Sequence, residues 1–232
     1  ETDSIQDIAI GKWPRGIGGW KVGRIPLDVE ERFGIDRLAG PVFDDTIHSV
    51  ADGGIVRMPA FQGGFAAIEA EYVAVIGCDA PRHKTTWTIE DTAAMIEKLC
   101  IGLEVASSPL ATINELGPTA VVSDFGNNAG LIIGPAIRDW RSRSLESMTC
   151  RSYIDESMVG TGGAFNLTGG FLRSVQFLLE LTTGRGIPLK AGDLIATGQT
   201  TGIHDIQVGQ TAKLDFGDDG SVGCTVVRAM PT

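Results

Sequence analysis

Ala67-Ile68-Glu69-Ala70-Glu71-Tyr72-Val73-Ala74-Val75-Ile76-Gly77 is the stretch around which the chain is read. Its second half, Tyr72 to Ile76, has the aromatic and β-branched content of a strand, and Gly77 punctuates it. Side chains two apart on a strand share a face, so Glu69 and Glu71 point the same way. Carboxylates held that close repel each other, and beside an apolar strand they need a compensating charge. A divalent cation that prefers hard oxygen ligands, Mg²⁺ or Mn²⁺, supplies one, whereas a solvent-facing pair at a strand end needs none. A third acid has similar company: Cys100-Ile101-Gly102-Leu103-Glu104-Val105-Ala106 sets Glu104 in an apolar run, where a charge is seldom buried alone. It reads either as a solvated residue at an element's end or as a third ligand. In the second case Glu69, Glu71 and Glu104 form a facial set of oxygen donors, with the other positions left to water and substrate.

The 232 residues are enough for one large domain or two small ones, and the 43% hydrophobic content is ordinary for a globular protein. A net charge of -10 argues against a nucleic-acid partner. The densest basic string, Arg138, Arg141 and Arg143, reads as solvated surface. Cys78, Cys100, Cys150 and Cys224 form no CxxC pair and read as small core residues in a reducing compartment. No apolar stretch approaches membrane-spanning length and the start does not read as a secretion signal, so the expected location is the cytoplasm. The chain opens on Glu1 rather than Met, which leaves room for an upstream segment.

Along the chain, Gly16-Ile17-Gly18-Gly19-Trp20 lacks the preceding strand and following acid of a dinucleotide fingerprint. Trp20-Lys21-Val22-Gly23 predicts a short strand. Lys21 either snorkels to solvent or, buried near carboxylates, gives and takes protons. Residues 26–38 predict one or two helical turns broken by Gly34, either a surface connection or a flap over a pocket. Asp45 is a further candidate polar group for that pocket. Asp52-Gly53-Gly54 predicts a hairpin turn. Thr88 as N-cap, Asp91, and the spacing of Ala93, Ala94, Ile96, Leu99 and Cys100 predict a helix ending near Gly102. Residues 105–118 read as a loop, 119–123 as a strand, 131–134 as another and 149–159 as a further one. Asp124 to Gly130 reads as a polar turn whose amides serve either a carboxylate ligand or the turn itself. Thr168-Gly169-Gly170 leads into a helix from Phe171 to Leu181. Its N-terminal amides suit an anion such as a substrate carboxylate, or the glycines only permit close packing. Strands follow at 194–198, 211–216 and 221–227, with Asp219-Gly220 as a hairpin turn. No repeat or composition break divides the chain, which predicts one domain of mixed sheet with a few helices. His48, His83 and His204 share no motif.

Six segments in order carry a resemblance: Gly19-Trp20-Lys21-Val22-Gly23; Gly40-Pro41-Val42-Phe43-Asp44-Asp45; Glu69-Ala70-Glu71; Leu103-Glu104-Val105; Asp124 with Asn128-Ala129-Gly130; and Leu189-Lys190-Ala191-Gly192-Asp193-Leu194-Ile195-Ala196-Thr197-Gly198. Together, over about residues 18–227, the chain resembles the fumarylacetoacetate hydrolase superfamily. Within it, the branch is that of the 2-keto-4-pentenoate hydratases, 2-oxohept-4-ene-1,7-dioate hydratases and 4-oxalocrotonate decarboxylases. The resemblance implies an α+β fold: a mixed β-sheet roll of the fumarylacetoacetate hydrolase C-terminal-domain type with a few packed helices. It implies one catalytic domain over residues 1–232, with 26–40 as a flap. It further implies Mg²⁺ or Mn²⁺ on Glu69, Glu71 and Glu104, catalytic roles for Lys21 and Asp45, and substrate contacts from Asp124, Asn128, Thr168 and Gly169.

The implied reaction is hydration of a 2-hydroxy-2,4-dienoate or related 2-oxo-alkenoate to a 4-hydroxy-2-oxo acid, in aromatic-compound catabolism. Decarboxylation of an oxalocrotonate-like 2-oxo diacid, C–C hydrolysis of an acylpyruvate, and a non-catalytic relative are the alternatives. The implied partners are a small 2-oxo acid, further copies of the chain in a homo-oligomer, and a related decarboxylase or hydratase subunit, with neither nucleic acid nor membrane. Three departures stand out. Phe125 occupies a position where the family usually has Asn, no His-Pro precedes Thr168, and Glu30-Glu31 lacks the His of the hydrolase branch's His-Glu pair.

Overall fold

The computed structural model describes residues 2–230. The chain begins with α1 (Thr2–Lys12), β1 (Ile17–Arg24), α2 (Leu27–Phe33), β2 (Arg37–Phe43), β3 (Ile47–Ser49), β4 (Gly54–Ala60) and β5 (Phe65–Ile76). Next come α3 (Ile89–Met95), β6 (Ile96–Ser108), α4 (Pro118–Ser123), β7 (Asn128–Ala136), β8 (Thr149–Ile154) and β9 (Ser157–Gly163). The last elements are α5 (Gly170–Gly184), β10 (Leu194–Ala196), β11 (Ile203–Asp205), β12 (Thr211–Asp215) and β13 (Ser221–Arg228). Eight strands form one mixed sheet in the order β2-β1-β10-β5-β6-β7-β3, with β11 also pairing β5. Five form a second sheet in the order β4-β13-β12-β8-β9. The fold is α+β, as expected.

β5 and β6 dominate the larger sheet because their apolar runs suit strands covered on both faces. They pair antiparallel from Phe65↔Ser108 to Ile76↔Ile96. Alternation sends Ile68, Ala70, Tyr72, Ala74 and Ile76 into the main core. That core also takes Leu214, Val222 and Val226 from the second sheet and Val175, Leu178 and Leu179 from α5. A smaller cluster of Val42, Val73, Cys100, Leu131, Ile133 and Ala196 covers the other face. Each large apolar side chain buried this way contributes about 1.5–3 kcal/mol. Such burial lets these strands carry, on the face of the smaller cluster, groups that cost stability.

Several expected elements are different. The helix capped by Thr88, whose Oγ1 accepts from the Asp91 N–H at 3.1 Å, stops at Met95. Leu99 and Cys100 belong to β6, where neighbours face opposite sides and both find cover. Pairing with β5 along its length outweighs helical spacing there. β6 continues to Ser108, into the expected loop, and the strand expected at 119–123 is α4. Pro118 starts that helix after Gly117 at φ 86°, and the segment joins neither sheet. Asp52-Gly53-Gly54 joins β3 in one sheet to β4 in the other and is not a hairpin. Residues 149–159 split into the β8–β9 hairpin at Asp155-Glu156, whose φ values of 46° and 67° are those of a tight primed turn. The helix at Phe171, the β12–β13 hairpin at Asp219-Gly220 and the short helix ended by Gly34 at φ 67° stand as expected. Among the described residues, no helix is long and apolar enough to cross a membrane.

Candidate metal centre

Strand register assembles the acids. Glu69 lies directly opposite Glu104 across β5 and β6, and Glu71 lies opposite Gly102. All three acids therefore share a face. Their oxygens come within 4.8 Å of one another, with Glu69 5% exposed and Glu71 and Glu104 fully buried. Lys21 reaches the same face from β1 through β10: Lys21 pairs with Ala196, and Ala196 with Val73, two residues along from Glu71. Its Nζ lies 3.4 Å from Glu104 Oε1.

The remaining contacts hold these groups in place. Asn128 Nδ2 donates to Glu104 Oε1 at 3.0 Å, and the Gly198 N–H donates to Glu71 Oε2 at 2.6 Å. Two glycines let the 125–127 turn close over Lys21. A Cβ at Gly40 would run into the Phe125 carbonyl, and one at Gly126, φ 71°, would come within 2.9 Å of Lys21 Cδ. Phe125 itself turns away to pack edge-on against Trp13 and Phe43, at centroid distances of 5.4 and 5.1 Å. Phe125 thus anchors the turn through an aromatic cluster.

Three buried carboxylates face one ammonium, an imbalance visible in their proton affinities. Burial pushes Glu71 well above the usual carboxylate range, and repulsion from Glu104 and Glu69 adds to it. Burial raises Glu104 to about 7 even though Lys21 opposes the shift. Burial alone would lower Lys21, but Glu104, Glu69 and Glu71 outweigh it and hold the ammonium charged. Glu71 Oε1 and Glu104 Oε2 are buried without a hydrogen-bond partner. Such orphaned oxygens are costly unless something else satisfies them. An all-oxygen set with two lone acceptors and an excess of negative charge fits a hard divalent cation.

A cavity of about 480 Å³ opens beside the acids, lined among others by Lys21, Glu69, Arg24, Arg37, Asn127 and Thr168. Of the expected site residues, Lys21, the three glutamates and Asn128 come together. Asp45 does not join them: its side chain is 42% exposed and pairs with Arg15 Nε at 3.3 Å, while Lys21 is paired with Glu104. The short helical turn after β2 carries Asp45 outward, which corrects its expected place beside the lysine. Asp124 caps the end of α4 with Oδ2 buried and unpartnered. Thr168 lines the cavity, and Gly169, at φ 73°, precedes α5 outside the lining.

Sequence reading missed Arg24, Arg37 and Asn114 as cavity residues, and it held Asn127 only as part of the 124–130 turn. Asn127 Nδ2 donates to Asn114 Oδ1 at 2.9 Å, a pairing between distant positions that no local pattern announces. Arg24 follows Lys21 by three residues on the same strand, an odd spacing that alternation assigns to the opposite face, so no local signal places it at the cavity.

Residues 39–227 match the fumarylacetoacetate (FAA) hydrolase C-terminal family. Among similar proteins, 2-keto-4-pentenoate hydratase 1 of Dechloromonas aromatica (strain RCB) is 24% identical over 223 residues, covering 94% of this chain and 81% of the relative. The 2-keto-4-pentenoate hydratase of Paraburkholderia xenovorans (strain LB400) is 25% identical over 213 residues, covering 90% and 75%. Among solved structures, 4-oxalocrotonate decarboxylase from Pseudomonas putida G7, complexed with magnesium and adipate, superposes with a TM-score of 0.79 at 22% identity, covering 98% of this chain and 86% of that one. Fumarylpyruvate hydrolase from Pseudomonas aeruginosa, in complex with Mn²⁺ and pyruvate, gives 0.66 at 18% identity, with 90% and 89% covered. The family match extends over β2 to β13, so it takes in the strands that carry all three glutamates, and the chain belongs to the fumarylacetoacetate hydrolase C-terminal family.

Proposed function

We propose that the chain is a divalent-metal-dependent hydratase that adds water to a 2-hydroxy-2,4-dienoate or related 2-oxo-alkenoate, giving a 4-hydroxy-2-oxo acid. The observation that carries this reading is the convergence of Glu69, Glu71 and Glu104, two of their oxygens orphaned, on a buried Lys21 at a cavity wall. The relatives named as hydratases support the reaction type. A Mg²⁺ or Mn²⁺ on the three glutamates would supply positive charge beside a substrate's keto oxygen, where negative charge develops when a proton leaves the adjacent carbon.

The chain's own residues do the rest. Lys21, at the cavity wall, carries protons between substrate carbons, and the surrounding carboxylates keep it protonated between transfers. Asn128 and the Gly198 N–H fix the carboxylates of Glu104 and Glu71, so Lys21 works against a fixed frame. Asn127, its Oδ1 buried and unpartnered at the cavity, is a ready acceptor for a substrate hydroxyl. Asp45 is assigned no part in the proton transfer.

A panel of dienoates and 2-oxo diacids assayed with Mg²⁺ and with Mn²⁺, following ultraviolet absorbance and CO₂ together, tests the reading. Loss of the conjugated dienoate absorbance without CO₂ is the expected result. CO₂ release from an oxalocrotonate-like diacid would replace the hydratase by a decarboxylase, and absence of turnover on every substrate would remove the enzyme.

A further inference from the structure

Two side chains of the N-terminal segment bridge the same pair of neighbours. Gln6 of α1 is fully buried. Its Nε2 donates to the Ala39 carbonyl of β2 at 3.0 Å and to the Val122 carbonyl of α4 at 2.8 Å. Its Oε1 accepts from Arg185 Nη1 at 2.9 Å. A guanidinium only donates and a carbonyl only accepts, so these three partners fix which way round the amide sits. Arg185 is itself held, its guanidinium 5.3 Å from the ring centroid of Trp20, the neighbour of Lys21 on β1. Just past the end of α1, Trp13 stacks on Phe43 of β2 with ring centroids 4.8 Å apart, and it meets Phe125 edge-on. Gln6 and Trp13 thus each join β2 to the segment 122–125. Both precede residue 39, where the family match begins.

The two bridged elements border the site. β2 is the edge strand of the larger sheet, and Gln6 gives its Ala39 carbonyl the donor that a further strand would have given. Ala39 adjoins Gly40, the residue opposite Lys21 across β1 and β2. Val122 lies in the last turn of α4, from which the chain runs on to Gly126 against Lys21 and to Asn127 at the cavity. One amide therefore spans the gap across which Gly40 and the 125–127 turn approach each other. Without it, two buried carbonyls on facing elements lose their shared donor, which costs more than the two bonds are worth.

We propose that Gln6 is a positioning residue, assisted by Trp13, that holds the 125–127 turn down on Lys21 and keeps Asn127 at the cavity. The inference rests on the metal-dependent 2-oxo-acid reading above, in which Lys21 and Asn127 meet the substrate. The glutamates stand on β5 and β6, whereas the bonds and ring contacts of Gln6 and Trp13 go to β2, α4, Arg185 and Phe125. The brace accordingly acts on substrate placement and leaves the metal ligands alone.

Hydrogen exchange of the full chain with Mn²⁺, read by mass spectrometry over residues 119–128 and over β5, tests this in two variants. Gln6→Met keeps the side-chain length and removes all three bonds, while Gln6→Glu keeps the acceptor for Arg185 and loses the donors. In both, the 124–127 amides should exchange about tenfold faster while those of β5 stay within about twofold of wild type. Both should bind Mn²⁺ within about twofold of wild type and pyruvate about fivefold or more weaker, with turnover reduced about tenfold. An equal rise in exchange over 124–127 and β5 would make Gln6 a general stability residue, and wild-type exchange in Gln6→Glu would assign the hold to Arg185; either overturns the inference. If neither variant folds, Trp13→Leu, at the partly exposed end of the brace, decides by the same local rise. Exchange at 124–127 that ignores these substitutions overturns only this inference, whereas failure of the wild-type chain to bind Mn²⁺ or pyruvate overturns the 2-oxo-acid reading and the substrate-placing role with it.

Discussion

Among the described residues Lys21 is the one cation paired with the three buried acids, and both its chemistry and its structural role follow from that position. Lys21→Ala leaves the oxygen donors in place, so Mn²⁺ binding is expected to persist while turnover falls by about 10²–10⁴, the usual contribution of a positioned proton-transfer group. Turnover at the wild-type rate would strip Lys21 of its role. Metal binding should also displace protons. With Glu104 raised to about 7 and Glu71 held well above the usual carboxylate range by burial, the metal-free site holds protons that a cation must expel. Mn²⁺ affinity should therefore weaken as pH falls from 8 to 6, and titration in buffers of different ionisation enthalpy should report proton release. A pH-independent affinity would mean that these carboxyls are not ligands. The sign for folding follows too. A carboxyl raised in the fold holds its proton through the window from 4.5 to about 7, where the unfolded chain has released it. The metal-free protein thus loses stability as pH rises through that window. Glu69 and Glu71 were legible as a pair because strand alternation is a local rule, whereas Lys21 reaches them only through β10.

At the scale of elements, the site depends on how closely β2 and the 125–127 turn approach each other. Gly40→Ala places a methyl group against the Phe125 carbonyl. Overpacking of this kind costs about 1–3 kcal/mol and should lift Gly126 from Lys21. The expected result is a lower denaturation midpoint together with reduced turnover, and unchanged values in both would refute the close approach. α3 and β6 show what local pattern cannot decide. Thr88 caps a helix as its sequence requires, but the apolar spacing beyond Met95 fits a helix face or a doubly covered strand equally well. β5 settles the choice by pairing with it. α4 repeats the lesson in reverse: Val121 and Val122 suit a strand, yet Gly117 and Pro118 start a helix there and the segment joins neither sheet.

For the whole molecule, the three acids are a stability debit carried by the large core on the other face of the same strands. A bound cation removes that debit. At a concentration about 100 times its Kd, Mn²⁺ should add about 2.7 kcal/mol. For a chain of this size that corresponds to a rise in Tm of roughly 5–10 °C, which scanning calorimetry would show. The double variant Glu71→Gln, Glu104→Gln should abolish the rise; a rise that persists would locate the metal elsewhere. The four thiols give a separate check on the packing. Cys78 is exposed, while Cys100, Cys150 and Cys224 are buried and burial pushes their thiols up, so they resist ionisation. One thiol should react quickly in the native protein and all four after unfolding.

Alone, the sequence determined the strand bearing Glu69 and Glu71, the class of cation three acids would call for, and the family, because alternation, ligand chemistry and ordered motifs are written along the chain. Only the tertiary structure decided that Glu104 faces Glu69, that Lys21 pairs with Glu104 while Asp45 turns to Arg15, and that Gln6 joins Ala39 to Val122. The physical reason is that register across β5 and β6, and the passage from β1 through β10, join residues far apart in sequence, and a hydrogen bond or ion pair depends on that distance in space.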